Sequence, residues 1–218
     1  MMTLGYVSTE LRRHAPFTVA GAATGIVIMA GFVLGDVPQQ TSRLLFWAFH
    51  PLHVLLSALV TAAIYRLHGG RRFWPTLVIG YLGSVGIATL SDSLIPYVGE
   101  WMLGLPNRGV HFGFIEKWWL VNPLALVGIW IGCRWPRTRV PHAGHVLLST
   151  WASLFHMTMA LGGIPDVFTV IVIGTFLFLA VWVPCCTSDI IFPLLFVRAE
   201  KMARPEALAN AEGSQRRG

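Results

Sequence analysis

Residues 50–59 read HPLHVLLSAL and residues 142–151 read HAGHVLLSTW. A histidine pair spaced by two residues and followed by Val-Leu-Leu-Ser therefore occurs twice in a chain of 218 residues. The phrase has a second half: Ser91-Asp92-Ser-Leu-Ile-Pro96 follows the first copy and Ser188-Asp189-Ile-Ile-Phe-Pro193 the second. Both copies thus read HxxHVLLS, then one further apolar segment, then SDxxxP. Two linked motifs that recur in the same order at similar spacing are an internal duplication.

Composition says where the duplicated units reside. With 55% hydrophobic and 12% charged residues and a mean hydropathy of +0.63, the chain has too little polar surface for a soluble globule. It reads as an all-α membrane protein. About 20 residues at 1.5 Å rise cross the hydrocarbon, and six segments of suitable length stand between charged or Pro/Gly-rich breaks. They are Phe17–Leu34, Leu44–Tyr65, Pro75–Val98, Trp118–Cys133, Val140–Leu161 and Val167–Val197. Trp47, Trp74, Trp101, Trp118, Trp119 and Trp135 fall near their ends, where amphipathic rings favour the headgroup zone.

Charge placement orients the segments, because basic residues in short loops stay cytoplasmic. With the amino terminus inside, Arg12, Arg13, Arg66, Arg71, Arg72, Arg134, Arg137, Arg139, Arg198, Lys201, Arg204, Arg216 and Arg217 lie on the cytoplasmic side. Arg43, Arg108 and Lys117 lie outside, a division of 13 to 3 among the 16 basic residues. The net charge of +6 is then a topology signal and asks for no nucleic-acid partner. The expectation is an integral protein of a prokaryotic inner (plasma) membrane, both termini cytoplasmic, with the lipid bilayer as its main partner. The first segment also has signal-peptide character, but removing it would leave five spans and spoil the repeat.

Three spans per unit make the second copy enter upside down. The chain then divides into a first three-helix repeat, 1–98, an outer loop, 99–117, a second, inverted three-helix repeat, 118–197, and a polar cytoplasmic tail, 198–218. Inverted repeats are a recurrent plan of transporters, which bind substrate where the halves meet. From helical rise, His50 and His53 lie about 9 and 14 Å in from the outer end of the second span, and Asp92 about 25 Å along the third. These three share an outer station. His142, His145 and Asp189 share an inner one near the cytoplasm.

Histidines at i and i+3 occupy one helix face, so they can present two imidazoles to one ion while a neighbouring helix adds a carboxylate. Two His and one Asp suit zinc, iron, manganese or cobalt better than calcium or magnesium, and zinc best. Polar groups in hydrocarbon require partners in any case. Ser91 and Ser188 are candidate donors behind the aspartates, whereas Ser57 and Ser149 read as helix-packing serines. Weaker metal candidates stand outside the repeat: His156, Cys185, Cys186, His111 and Glu116. Glu100, with His111 and Glu116, falls in the longest outer loop, and Asp36 and Asp166 read as helix-end caps. Pro51, Pro96, Pro141, Pro184 and Pro193 break helices beside these residues, which frees carbonyls to complete an ion's coordination.

The reading that follows is a secondary transporter of a divalent transition-metal cation, coupled to protons through histidine and capable of homo-oligomerising. Two other classes compete. An intramembrane zinc-dependent hydrolase would use His, His and Asp to activate water, but no HExxH is present and one site would suffice. A b-type haem protein would take axial histidines from two helices. GxxxxGK[ST], GxGxxG, GxSxG and CxxC are all absent, so no nucleotide cofactor has motif support.

Overall fold

The computed structural model describes residues 4–70, 72–136, 139–186 and 192–197, with side chains for all of these except residues 4–11, 13–14, 139–142 and 186. Among the described residues all regular structure is helical and there is no strand. We label the long helices α1 (Leu4–Leu34), α2 (Gln39–Leu67), α3 (Phe73–Met102), α4 (Trp118–Arg134), α5 (Arg139–Ala160) and α6 (Val167–Cys186). A single helical turn, Gly113–Glu116, precedes α4.

Four stretches are long and apolar enough to cross a membrane: Ala15–Leu34, Gln39–Leu67, Phe73–Met102 and Val167–Cys185. The other two long helices differ in kind. α4 is only 17 residues, and α5 carries His145, Ser149, Ser153 and His156 on its buried side. Turn chemistry sets the breaks. Asp36 ends α1 with a positive φ of 50°, and Asp166 accepts the Thr169 N–H (2.8 Å) at the start of α6. That bond holds the Asp166 carboxyl below its ordinary range and meets the capping role expected of it.

α2 is the central element and lies along both α4 and α5. Its face toward α4 is built from Ala58, Ala62 and Ala63, all fully buried. Gly128 and Gly132 of α4 meet the Leu55 and Leu59 carbonyl oxygens of α2 with no room for a Cβ. Small residues one turn apart thus let two backbones touch, the usual means of close helix association in lipid. α1 packs against α5 and α6. The first half of α3 lies on α2 and α4, and its second half on α5 and α6.

α3 is not a regular helix. Leu82–Gly86 and Leu90–Leu94 are π-helical, the wide turns that interrupt α-helices mostly at functional sites. In the second, Ser91, Asp92 and Ser93 are all fully buried.

Trp74, Trp101, Trp118, Trp119 and Trp135 are exposed near helix ends, as expected of interfacial rings. Trp47 departs from that pattern. It is half-buried, edge-on to His50 and His111 at centroid distances of 6.3 and 5.8 Å, with the Lys117 ammonium 5.8 Å from its ring.

Candidate metal centre

The centre is organised by one carboxylate. Asp92 Oδ2 lies 2.9 Å from His50 Nδ1 and 2.6 Å from His53 Nδ1. Its Oδ1 accepts the hydroxyls of Ser91 (2.7 Å) and Ser149 (3.0 Å). Four donors fill the lone pairs of a buried carboxylate, which is how a charge persists in an apolar interior. Ser153 lies within hydrogen-bond reach of the Ser91 and Ser149 carbonyls and ties α5 to the wide turn of α3.

With each Nδ1–H donated to Asp92, the lone pair of each imidazole sits on Nε2. His50 Nε2 and His53 Nε2 are buried and have no hydrogen-bond partner. The His50 atom abuts the Cα of Gly113, where a Cβ would collide with it. The His53 ring stacks on that of His145 at a centroid distance of 4.6 Å and 19° between planes. Cys185 is buried beside them, its thiol 3.6 Å from the Ser149 oxygen. Ligand atoms of His53, His145 and Cys185 all lie within 4.8 Å of one another.

This geometry rearranges the two expected stations. His50, His53 and Asp92 do come together, but Asp92 stands behind the imidazoles as their orienting acceptor. His145 stacks on His53 and does not occupy a separate inner level. The estimate from helical rise started α2 at Leu44, whereas the helix begins at Gln39. Five extra residues set His53 about 7.5 Å deeper, near the level of His145. The side chains of His142 and Cys186 and the whole of Asp189 and Ser188 lie outside the described residues.

A second cluster occupies the end of α3 around Glu100. His156 Nδ1 lies 2.6 Å from Glu100 Oε1, both side chains about 1% exposed. Ser93 Oγ is 3.4 Å from His156 Nε2 and accepts the His111 backbone N–H (2.8 Å). Glu100 Oε2 accepts the Gly109 N–H at 3.2 Å. His111 Nδ1 is 3.2 Å from Glu116, which also accepts the Phe112 N–H (2.9 Å). Burial holds the His111 imidazole below its ordinary value against the pull of Glu116. Phe46 stands between the clusters, its ring 5.4 Å from His50 and 5.4 Å from His156 by centroid. Next to this cluster a cavity of about 390 Å³ has a mixed lining that includes Gln40, Arg43, Arg108, Gly109, His111 and Met159.

Reading the sequence assigned Glu100 to the outer loop, yet it is fully buried at the end of α3. Its spacing carried the signal, since Asp92, Pro96 and Glu100 recur every fourth residue. On α5 the same holds for Ser149 and Ser153, four and eight residues beyond His145. Ser149 is a hydrogen-bond donor to Asp92, not the packing serine expected, because it faces a carboxylate from another helix. Ser57 and Thr61 continue the α2 face beyond His53, fully buried with hydroxyls that have no partner.

Comparison with protein-family models, with curated proteins and with solved structures finds no match to this chain.

Proposed function

We propose that the chain is a secondary transporter of a divalent transition-metal cation, zinc fitting best, bound at one buried centre by His53, His145 and Cys185. The observation that carries this is the unpartnered, buried Nε2 of His53, fixed by Asp92 and facing a second imidazole and a thiol. A histidine oriented by a carboxylate on its other nitrogen is the usual arrangement behind a protein-bound metal. Two nitrogens and one sulfur suit zinc and its softer neighbours. A tetrahedral ion needs donor atoms roughly 3.3–3.8 Å apart at ordinary bond lengths; the donor atoms lie within 4.8 Å of one another, and binding requires the near-parallel His53 and His145 rings to turn out of their stack so that both lone pairs converge.

Transport is favoured over static binding by the way the centre is assembled. His53 and Asp92 come from the first half of the chain, His145, Ser149 and Cys185 from the second, and inverted-repeat transporters bind substrate at such a meeting line. We read the architecture as six spans in two inverted three-helix repeats, in a prokaryotic inner membrane with both termini cytoplasmic. Exchange of α1, α2 and α3 with α4, α5 and α6 preserves most of the helix pairings: α2 with α4 becomes α5 with α1, and α1 with α6 becomes α4 with α3. The irregular turn of α3 at Asp92 resembles the broken helices of transporters.

A second reading, an intramembrane zinc enzyme, is favoured by one observation. Three protein donors leave a fourth position open, as catalytic zinc requires. Haem is disfavoured, because rings stacked at 4.6 Å leave no room for a porphyrin between them.

Element-resolved metal analysis of purified protein, with zinc flux into proteoliposomes, tests the proposal. About one zinc per chain is expected in the wild type, with His53→Ala, His145→Ala and Cys185→Ser each losing most of the metal and the flux. Full metal content in all three variants rejects the centre. Bound zinc without flux in the wild type rejects transport and leaves the enzyme.

A further inference from the structure

We propose that the buried Glu100–His156 pair is a proton-carrying site of this protein, separate from the metal centre and linked to it through Ser93 and Phe46. The inference rests on the zinc-binding reading above and adds to it the group that exchanges a proton for the ion.

Three observations support the assignment. First, the pair is enclosed: the 2.6 Å contact joins two side chains about 1% exposed, at the end of a helix long and apolar enough to cross a membrane. An ionisable pair is expensive there and marks function more often than packing. Second, it has a route to water. The His111 ring lies 5.3 Å from that of His156 by centroid, and His111 lines the cavity with Arg43 and Arg108. Gly109, whose N–H is bonded to Glu100, lines the same cavity. Third, it is joined to the metal centre. Ser93, within reach of His156, is the chain neighbour of Asp92, and Phe46 touches both His50 and His156.

The other titratable and charged groups facing the pair are few. They are His111 with Glu116 behind it on the loop, Arg43 and Arg108 at the cavity that His111 lines, Lys117 over the Trp47 ring that meets His111, and, beyond Phe46 and Ser93, His50 and Asp92. α6, whose Phe176 packs on Gly99, contributes none among its described residues at that level. A divalent ion entering the metal centre adds two positive charges to an interior whose buried carboxylates, among the described residues, are Asp92 and Glu100. Loss of one proton from the Glu100–His156 pair to outer water, by way of His111, offsets one of those charges. Phe46 keeps the exchanged proton and the ion on separate tracks.

The test is a proton count. Zinc is titrated into purified full-length protein in weakly buffered detergent solution while a pH dye reports protons released per zinc bound. The wild type is expected to release about one proton more per zinc than Glu100→Gln, with both holding the same amount of zinc. His156→Asn should behave like Glu100→Gln, and Glu100→Asp, which keeps the carboxylate, should recover the wild-type count. Equal proton release by wild type and Glu100→Gln overturns the inference while the metal centre stands. Loss of zinc from a Glu100→Gln protein that keeps wild-type helix content also overturns it, by making Glu100 part of the metal centre. If Glu100→Gln does not fold, the comparison between Glu100→Asp and His156→Asn decides. A wild type that binds no zinc removes the metal reading itself, and with it this one.

Discussion

Asp92 carries the strongest constraint of any single residue here, because all four of its acceptor positions are occupied by donors from three helices. Asp92→Asn keeps the volume but turns one acceptor oxygen into an amide donor, which must then face either two imidazole N–H groups or two hydroxyls. With the amide nitrogen toward the imidazoles, two buried N–H donors lose their acceptor, at about 1–3 kcal/mol each; with it toward the hydroxyls, Ser91 and Ser149 must redirect their hydrogens to weaker acceptors. The imidazoles also lose the negative charge behind them and, when the amide nitrogen faces them, the acceptor that fixes their tautomer, so zinc affinity should fall about 10- to 100-fold. Zinc titration alongside thermal unfolding measures both, and a variant with wild-type affinity would show that Asp92 does not orient the ligands. The convergence of His50, His53 and Asp92 was legible, since their spacing sets them on facing sides of adjacent helices. The stacking of His145 on His53 was not, because it depends on where each helix begins relative to the others. No local pattern encodes that.

Elements were legible to the extent that apolar length encodes them. Four of the six segments read from the sequence are helices of membrane-crossing length and apolarity, and the helix ends differ from expectation by several residues. What the sequence concealed was the irregularity of α3 and the tightness of the α2–α4 seam. Gly128 and Gly132 reveal the seam only once the Leu55 and Leu59 carbonyls are known to lie against them. Gly132→Ala puts a methyl group against the Leu59 carbonyl oxygen and the Ala63 nitrogen, neither of which can rotate away. A loss of about 1–3 kcal/mol is expected, visible as a lowered unfolding midpoint in detergent. Gly31→Ala is the control: nothing lies within 4 Å of its Cβ position. It should leave the midpoint unchanged or raise it slightly, as alanine is the better helix former by about 1 kcal/mol. Equal behaviour of the two variants would refute the seam.

For the whole molecule, the asymmetry of basic residues predicts which loops meet which solution. Ile164 is exposed in the turn before α6, and Trp135 is exposed beyond α4, on the side where arginines gather. In intact cells, a membrane-impermeant maleimide should label Ile164→Cys and spare Trp135→Cys until the membrane is opened. Labelling of both from outside, or the reverse pattern, would refute the proposed orientation. The recurrence of the motif is plain in the sequence. The stacking of its two copies through His53 and His145 is not, because two copies on different helices can meet in the middle or stand at opposite ends, and only packing decides.

The wide turn around Asp92 also sets the rotational phase of everything beyond it. A helix that takes up one residue in a loose coil is, past that point, rotated relative to the regular helix it would otherwise continue. Pro96, Gly99 and Glu100 therefore point where they do because of residues 90–94, not because of their own neighbours. The Glu100 cluster is indexed to the Asp92 one like a second dial on the same shaft. Shortening the stretch by a single residue would turn Glu100 by about 100° around the helix relative to the residues before the turn, so the two clusters keep their alignment only if the length of this one segment is preserved.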